Sequence, residues 1–146
     1  PIFEELGKDV FIYYMIRQKE CDEHYDALLY GSVIGASFAT IENISYGIML
    51  AIEESLIFGI ETMLFRSIFF PIGHTLFGGV FGLLAYKKNA IIGFLCGVCL
   101  HLTWNAVVLL ADPSRIDLFF CILYVLYVAI LTYMIYYAYR QKREGK

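Results

Sequence analysis

Residues 90–111 read AIIGFLCGVCLHLTWNAVVLLA, with no Asp, Glu, Lys or Arg anywhere in the run. About 20 consecutive apolar residues are enough for a helix to cross the hydrocarbon core of a bilayer. The run lies between Lys87-Lys88-Asn89 and Asp112-Pro113, so both ends are marked by residues that favour water. It reads as a membrane-spanning helix. Its neighbours read the same way: residues 28–52, 63–86 and 118–139 are long apolar stretches, and residues 1–16 form a partial one. The connections are short and polar: RQKECDEHYDA at 17–27, EESLIFGIET at 53–62, KKN at 87–89 and DPSRID at 112–117. The tail, residues 140–146, is RQKREGK, and Pro113 is a natural helix stop and restart. The fold predicted is all-α: a polytopic membrane helix bundle forming one membrane-embedded unit over residues 1–146.

Composition agrees. The chain is 60% hydrophobic and 17% charged, with a mean hydropathy of +0.66. A soluble domain is nearer half apolar. The net charge of −3 excludes a nucleic-acid partner, which would require a basic patch. The cysteines, Cys21, Cys96, Cys99 and Cys121, lie mostly in apolar runs and read as packing residues rather than a disulfide framework. The stretch that opens at Pro1 does not read as a signal peptide. A helix with two carboxylates so close to its start is expected to follow upstream residues and helices, making this the C-terminal part of a longer protein.

The basic residues set the orientation. In an alternating layout Arg17, Lys19, Lys87, Lys88, Arg140, Lys142, Arg143 and Lys146 all fall on one side. Only Arg115 falls in a loop on the other, while Lys8 and Arg66 lie within or near spans. The positive-inside rule makes the first side cytoplasmic, so the protein is expected in the cell membrane with a cytoplasmic C-terminus. Residues 53–62 and 112–117 are then outside.

Against that frame Glu5, Glu42, His74, His101 and Asn105 are costly. A charged side chain at the bilayer centre costs at least a few kcal/mol and normally faces protein or a wet cavity. At about 1.5 Å per helical residue, all five sit roughly 18–24 Å from the basic face. Four segments thus deliver carboxylate, imidazole and amide to one layer, where side chains of Glu5, His74, His101 and Asn105 are expected to converge with Glu42 at the edge. Glycines in the spans (Gly31, Gly35, Gly73, Gly78, Gly79, Gly82, Gly93, Gly97) read mostly as close helix packing.

Each polar motif has a plain alternative. In Glu4-Glu5-x-x-Lys8, Lys8 is one turn from both glutamates and pairs with one; the alternative is a helix mouth among headgroups. In Glu42-Asn43-x-x-Tyr46, Glu42 and Tyr46 share a face; the alternative is a hydrogen bond that merely orders the bundle. Arg66 and His74 flank Pro71, which is expected to open the helix locally and line a cavity; the alternative for His74 is a packing donor. In His101-Leu-Thr-Trp-Asn105, the i, i+4 spacing stacks His101 and Asn105 on one face. Two adjacent donors aimed at one point suit an oxyanion; the alternative is a polar packing seam. Cys96-x-x-Cys99 lies on a dry helix with no second pair, so no metal site is assigned to it.

In this order the motifs resemble those of the PrsW-type membrane peptidases, relatives of the CAAX prenyl endopeptidases and bacteriocin-processing peptidases. The resemblance rests on Glu4-Glu5-x-x-Lys8, Glu42-Asn43-x-x-Tyr46, Arg66 with His74, and His101-x-x-Trp104-Asn105. It runs from residue 4 to residue 105. Phe70-x-x-x-His74 and His101-x-x-x-Asn105 also fit the looser patterns of the wider group. The resemblance implies an intramembrane endopeptidase of the glutamate type; no cofactor is expected, with a metal ion left open. Glu4 or Glu5 with His74 would activate water, and His101 with Asn105 would form the oxyanion hole. Glu42 belongs to the same site, with Lys8, Asn43, Tyr46 and Arg66 in support. The implied partner is a membrane-protein substrate such as a single-pass anti-sigma factor, cut outside the cytoplasm in a site-1 type cleavage. Two other functions stay open: a metal-dependent membrane peptidase using His74, His101 and a glutamate, and a transporter relaying protons or cations through buried Glu and His. An inactive structural or immunity protein is a further alternative.

Overall fold

A computed structural model describes residues 1–18, 21–110 and 118–144. Helices are the regular elements there: α1 (Ile2–Arg17), α2 (His24–Glu53), α3 (Leu56–Tyr86), α4 (Ala90–Leu110) and α5 (Leu118–Arg143). The expected 112–117 connection with Pro113 and Arg115, and Lys19 and Lys146 of the basic face, lie outside the described residues. The helices α2 to α5 are each long and apolar enough to cross a membrane. With 16 residues, α1 falls short of the about 20 a full span needs.

The helix α3 packs against all four of the others and forms the axis of the bundle. Its small residues explain this position. A Cβ added at Gly31 would overlap the Gly78 carbonyl, one at Gly35 the His74 carbonyl, and one at Gly82 the Ala27 carbonyl. At the far end, a Cβ at Gly59 would overlap the Gly47 carbonyl. Backbone therefore lies directly on backbone along an antiparallel α2–α3 hairpin, as small residues permit in membrane helices.

The helices reach beyond the apolar stretches: α2 begins at His24 rather than residue 28, and α5 runs to Arg143 rather than residue 139. The third helix begins at Leu56 rather than residue 63, so most of the expected 53–62 loop is helical. Ser55 supplies the reason, because its Oγ accepts a hydrogen bond from Phe58 N at 3.2 Å and caps the helix start. Hydropathy locates where a helix leaves the apolar layer, whereas the cap locates where the helix ends. Pro71 also leaves α3 continuous, with helix on both sides of it.

The core runs along α2 to α5 through Leu28, Phe70, Leu76, Phe77, Trp104, Leu123 and Tyr127. The Tyr127 hydroxyl donates to the Leu100 carbonyl at 2.6 Å, tying α5 to α4. Outside, large apolar side chains such as Ile41, Ile52, Ile68, Ile91, Leu102 and Val125 are exposed, while Glu5, Lys8, Asp9, Asn43, Arg66, His74 and His101 are buried. Apolar outside and charged inside is the arrangement a lipid solvent selects. At one end Lys142 meets Glu23 at 2.9 Å, Lys87 donates to the Tyr137 hydroxyl at 2.9 Å, and the Tyr86 hydroxyl donates to the Asp22 carbonyl. The α1–α2 segment, the α3–α4 turn and the end of α5 thus share one basic face.

Candidate active site

The buried face of α1 carries Glu5, Lys8, Asp9 and Ile12, at the i, i+3, i+4, i+7 spacing of one helical stripe. Lys8 Nζ donates to Glu5 Oε1 at 2.6 Å, and both side chains are fully buried. The same Oε1 meets His101 Nδ1 of α4 at 2.6 Å. Glu5 Oε2 is buried without a hydrogen-bond partner. It faces the bare backbone of Gly97, where an added Cβ would stand 3.3 Å away. Glu4, 41% exposed, reaches His101 Nε2 at 3.5 Å from the rim.

On α3, His74 is held from both sides. Its Nδ1 lies 3.3 Å from Lys8 Nζ and its Nε2 lies 2.8 Å from Glu42 Oε2. An ammonium only donates, so Nδ1 accepts from Lys8 and the ring proton sits on Nε2, facing Glu42. Glu42 is fixed in turn. Its Oε1 accepts from Arg66 Nη2 at 2.8 Å, and Arg66 Nε donates to Asn43 Oδ1 at 3.1 Å. The guanidinium lies between Tyr46 and Phe70, 4.0 and 3.9 Å from their ring centroids. Removing one partner from this part-buried pair leaves the other charge poorly compensated.

Aromatic rings wall the cluster. His101 stacks on Phe77 at 5.1 Å and meets His74 edge-on at 4.9 Å. Phe38 flanks His74 at 5.8 Å. Trp104 is buried between Phe70, Phe120 and Tyr127, which fixes the face of α4 that presents His101.

Glu4, Glu5, Lys8, Glu42, Asn43, Tyr46, Arg66, His74 and His101 are therefore drawn into one network from four helices. Asn105 is not. It is exposed one turn beyond His101 and has no side-chain hydrogen bond among the described residues. The open edges of the cluster are Glu4 and Glu42, the latter 20% exposed. Asp9 was not singled out from the sequence. It is buried with both carboxyl oxygens unpartnered, and its i+4 spacing from Glu5 was the available signal.

A bundle of apolar exterior with a buried carboxylate–imidazole–ammonium cluster defines a class: membrane proteins with a chemical site inside the helical layer. Comparison places the chain within that class. The family described as PrsW family intramembrane metalloprotease matches residues 1–135, and the chain belongs to it. It is 42% identical over 53 residues to a protein named Protease PrsW from Oceanobacillus iheyensis, a stretch covering 36% of this chain and 25% of that relative. No solved structure matches the chain.

The family description implies a metal ion. One ligand atom from each of Glu5, His74 and His101 lies within 4.8 Å of the others, and two imidazoles with a carboxylate are a zinc-type donor set. However, Lys8 Nζ, itself a cation, already holds Glu5 Oε1 and His74 Nδ1. As arranged, the residues do not fit a bound metal.

Proposed function

We propose that the chain is the core of an intramembrane endopeptidase of the glutamate type, in which Glu5 takes a proton from the attacking water. The observation that carries this is the state of Glu5: one oxygen anchored by Lys8 and His101 at 2.6 Å each, the other buried and unpartnered. Water attacks the peptide carbonyl carbon, its proton passes to the carboxylate, and the same proton then serves the leaving amine. His101 is adjacent to receive the charge that builds on the carbonyl oxygen, and Asn105 stands on the exposed side from which a peptide would approach. His74 is oriented by Glu42, and Glu42 by Arg66. Glu4 is the alternative base, on the rim.

An ion or proton relay is less well supported. Towards the basic face the site is followed by an apolar plug of Ile12, Phe81 and Ala85 with Ile34 and Phe94 around it. Hydrolysis needs access from one side only, and the Glu4 and Glu42 edges offer it. We further propose that the basic face is cytoplasmic and that the substrate is a membrane protein, such as a single-pass anti-sigma factor cut outside the cytoplasm. The test is co-expression with a tagged single-pass membrane protein. Strong cleavage by the wild type and much weaker cleavage by His101→Ala are expected; equal cleavage by both would remove the proposed site.

A further inference from the structure

Two members of the Glu5, His74 and His101 cluster, Glu5 and His74, hold a cation that belongs to the chain itself. We propose that the Lys8 ammonium occupies the place a divalent metal would take among these three residues, and so keeps the site metal-free. The inference concerns the same site as the hydrolase reading but is read by metal binding, not by turnover.

A metal here would draw on lone pairs of Glu5, His74 and His101, whose ligand atoms lie within 4.8 Å of one another. Those on Glu5 Oε1 and His74 Nδ1 are engaged by one nitrogen, Lys8 Nζ, at 2.6 and 3.3 Å. The ammonium is a donor only, so its contact with Nδ1 consumes the electron pair that metal coordination needs. Lys8 is also braced where it stands. Phe38 and Phe77 each present a ring with its centroid 5.4 Å from Nζ, and such ring faces attract a cation. The side chain is fully buried. An ammonium and a divalent ion at one point would repel strongly in this dry setting, so the two are exclusive occupants. For the reaction, the ammonium makes Lys8 a positioning residue: it fixes Glu5 Oε1 and the His74 ring while leaving Glu5 Oε2 unengaged.

The test is cobalt titration of the full chain in detergent, followed by the visible absorption of tetrahedral cobalt. The wild type is expected to develop no such bands at cobalt concentrations that saturate Lys8→Met. The gain in affinity should reach the order of 10–100-fold, the scale on which groups around a metal set its binding. Adding His101→Ala to Lys8→Met should abolish the bands. Lys8→Gln is the second variant should Lys8→Met not fold, and thermal unfolding confirms the fold of each. Tight cobalt binding by the wild type, lost on His74→Ala, overturns the proposal whatever the variants do. So does a folded Lys8→Met or Lys8→Gln that gains no cobalt. In the first case the hydrolase reading survives in a metal-dependent form. Failure of the cleavage assay, conversely, leaves the exclusion of metal by Lys8 standing.

Discussion

Asn105 and His101 share a helical face in sequence, yet His101 is locked to Glu5 while Asn105 is exposed. Their substitutions are therefore expected to differ. Asn105→Ala should cost roughly 2.7–4 kcal/mol of transition-state stabilisation, the loss of one oxyanion donor, with the melting temperature unchanged. His101→Ala should lower both turnover and stability, because it leaves Glu5 with one buried partner fewer. Cleavage rates and thermal unfolding of the two purified variants check this; unchanged cleavage in Asn105→Ala removes its proposed role. At this scale the sequence exposed the polar residues because each interrupts an apolar run. What it did not expose was who faces whom. Lys8 was legible as a partner for a glutamate one turn away, but its contact with His74 depends on how α1 lies on α3. Arg66 and Glu42 are far apart in sequence, and no local spacing pairs them.

Close approach of α2 to α3 places Glu42 beside His74. At Gly35 an added Cβ would overlap the carbonyl of His74 itself. Gly35→Ala is thus expected to push the helices apart, cost about 1–3 kcal/mol as overpacking does, and lower cleavage by shifting His74 from Glu42. Gly7→Ala is the control, since nothing lies within 4 Å of a Cβ there. Equal melting temperatures in detergent for the two variants would refute the packing argument. The glycine stripes were legible as packing sites, but not which stripe met which. The helix limits were legible only to within the apolar layer, because α3 runs outward to the Ser55 cap and Pro71 is absorbed without ending it.

For the whole molecule, the count of long apolar runs and their order carried over to the bundle, since burial of backbone polar groups in lipid allows little else. The central place of α3 was not legible; it follows from small residues on more than one face of that helix. The contacts Lys142–Glu23 and Lys87–Tyr137 gather the basic residues at one end, and we expect that end in the cytoplasm. Cysteine labelling in intact cells checks this, using a background freed of Cys21, Cys96, Cys99 and Cys121. Lys87→Cys should be protected from an impermeant reagent and Glu54→Cys modified; the reverse pattern inverts the topology.

The central claim is that a buried glutamate activates water within this bundle. It is tested most directly by measuring cleavage of a single-pass membrane substrate in reconstituted vesicles by the wild type, Glu4→Gln, Glu5→Gln and the double variant. Glutamine keeps the shape of the side chain and loses the base. Glu5→Gln is expected to abolish turnover with the fold retained, and Glu4→Gln to leave measurable turnover. Full activity in both single variants and in the double variant would contradict the account.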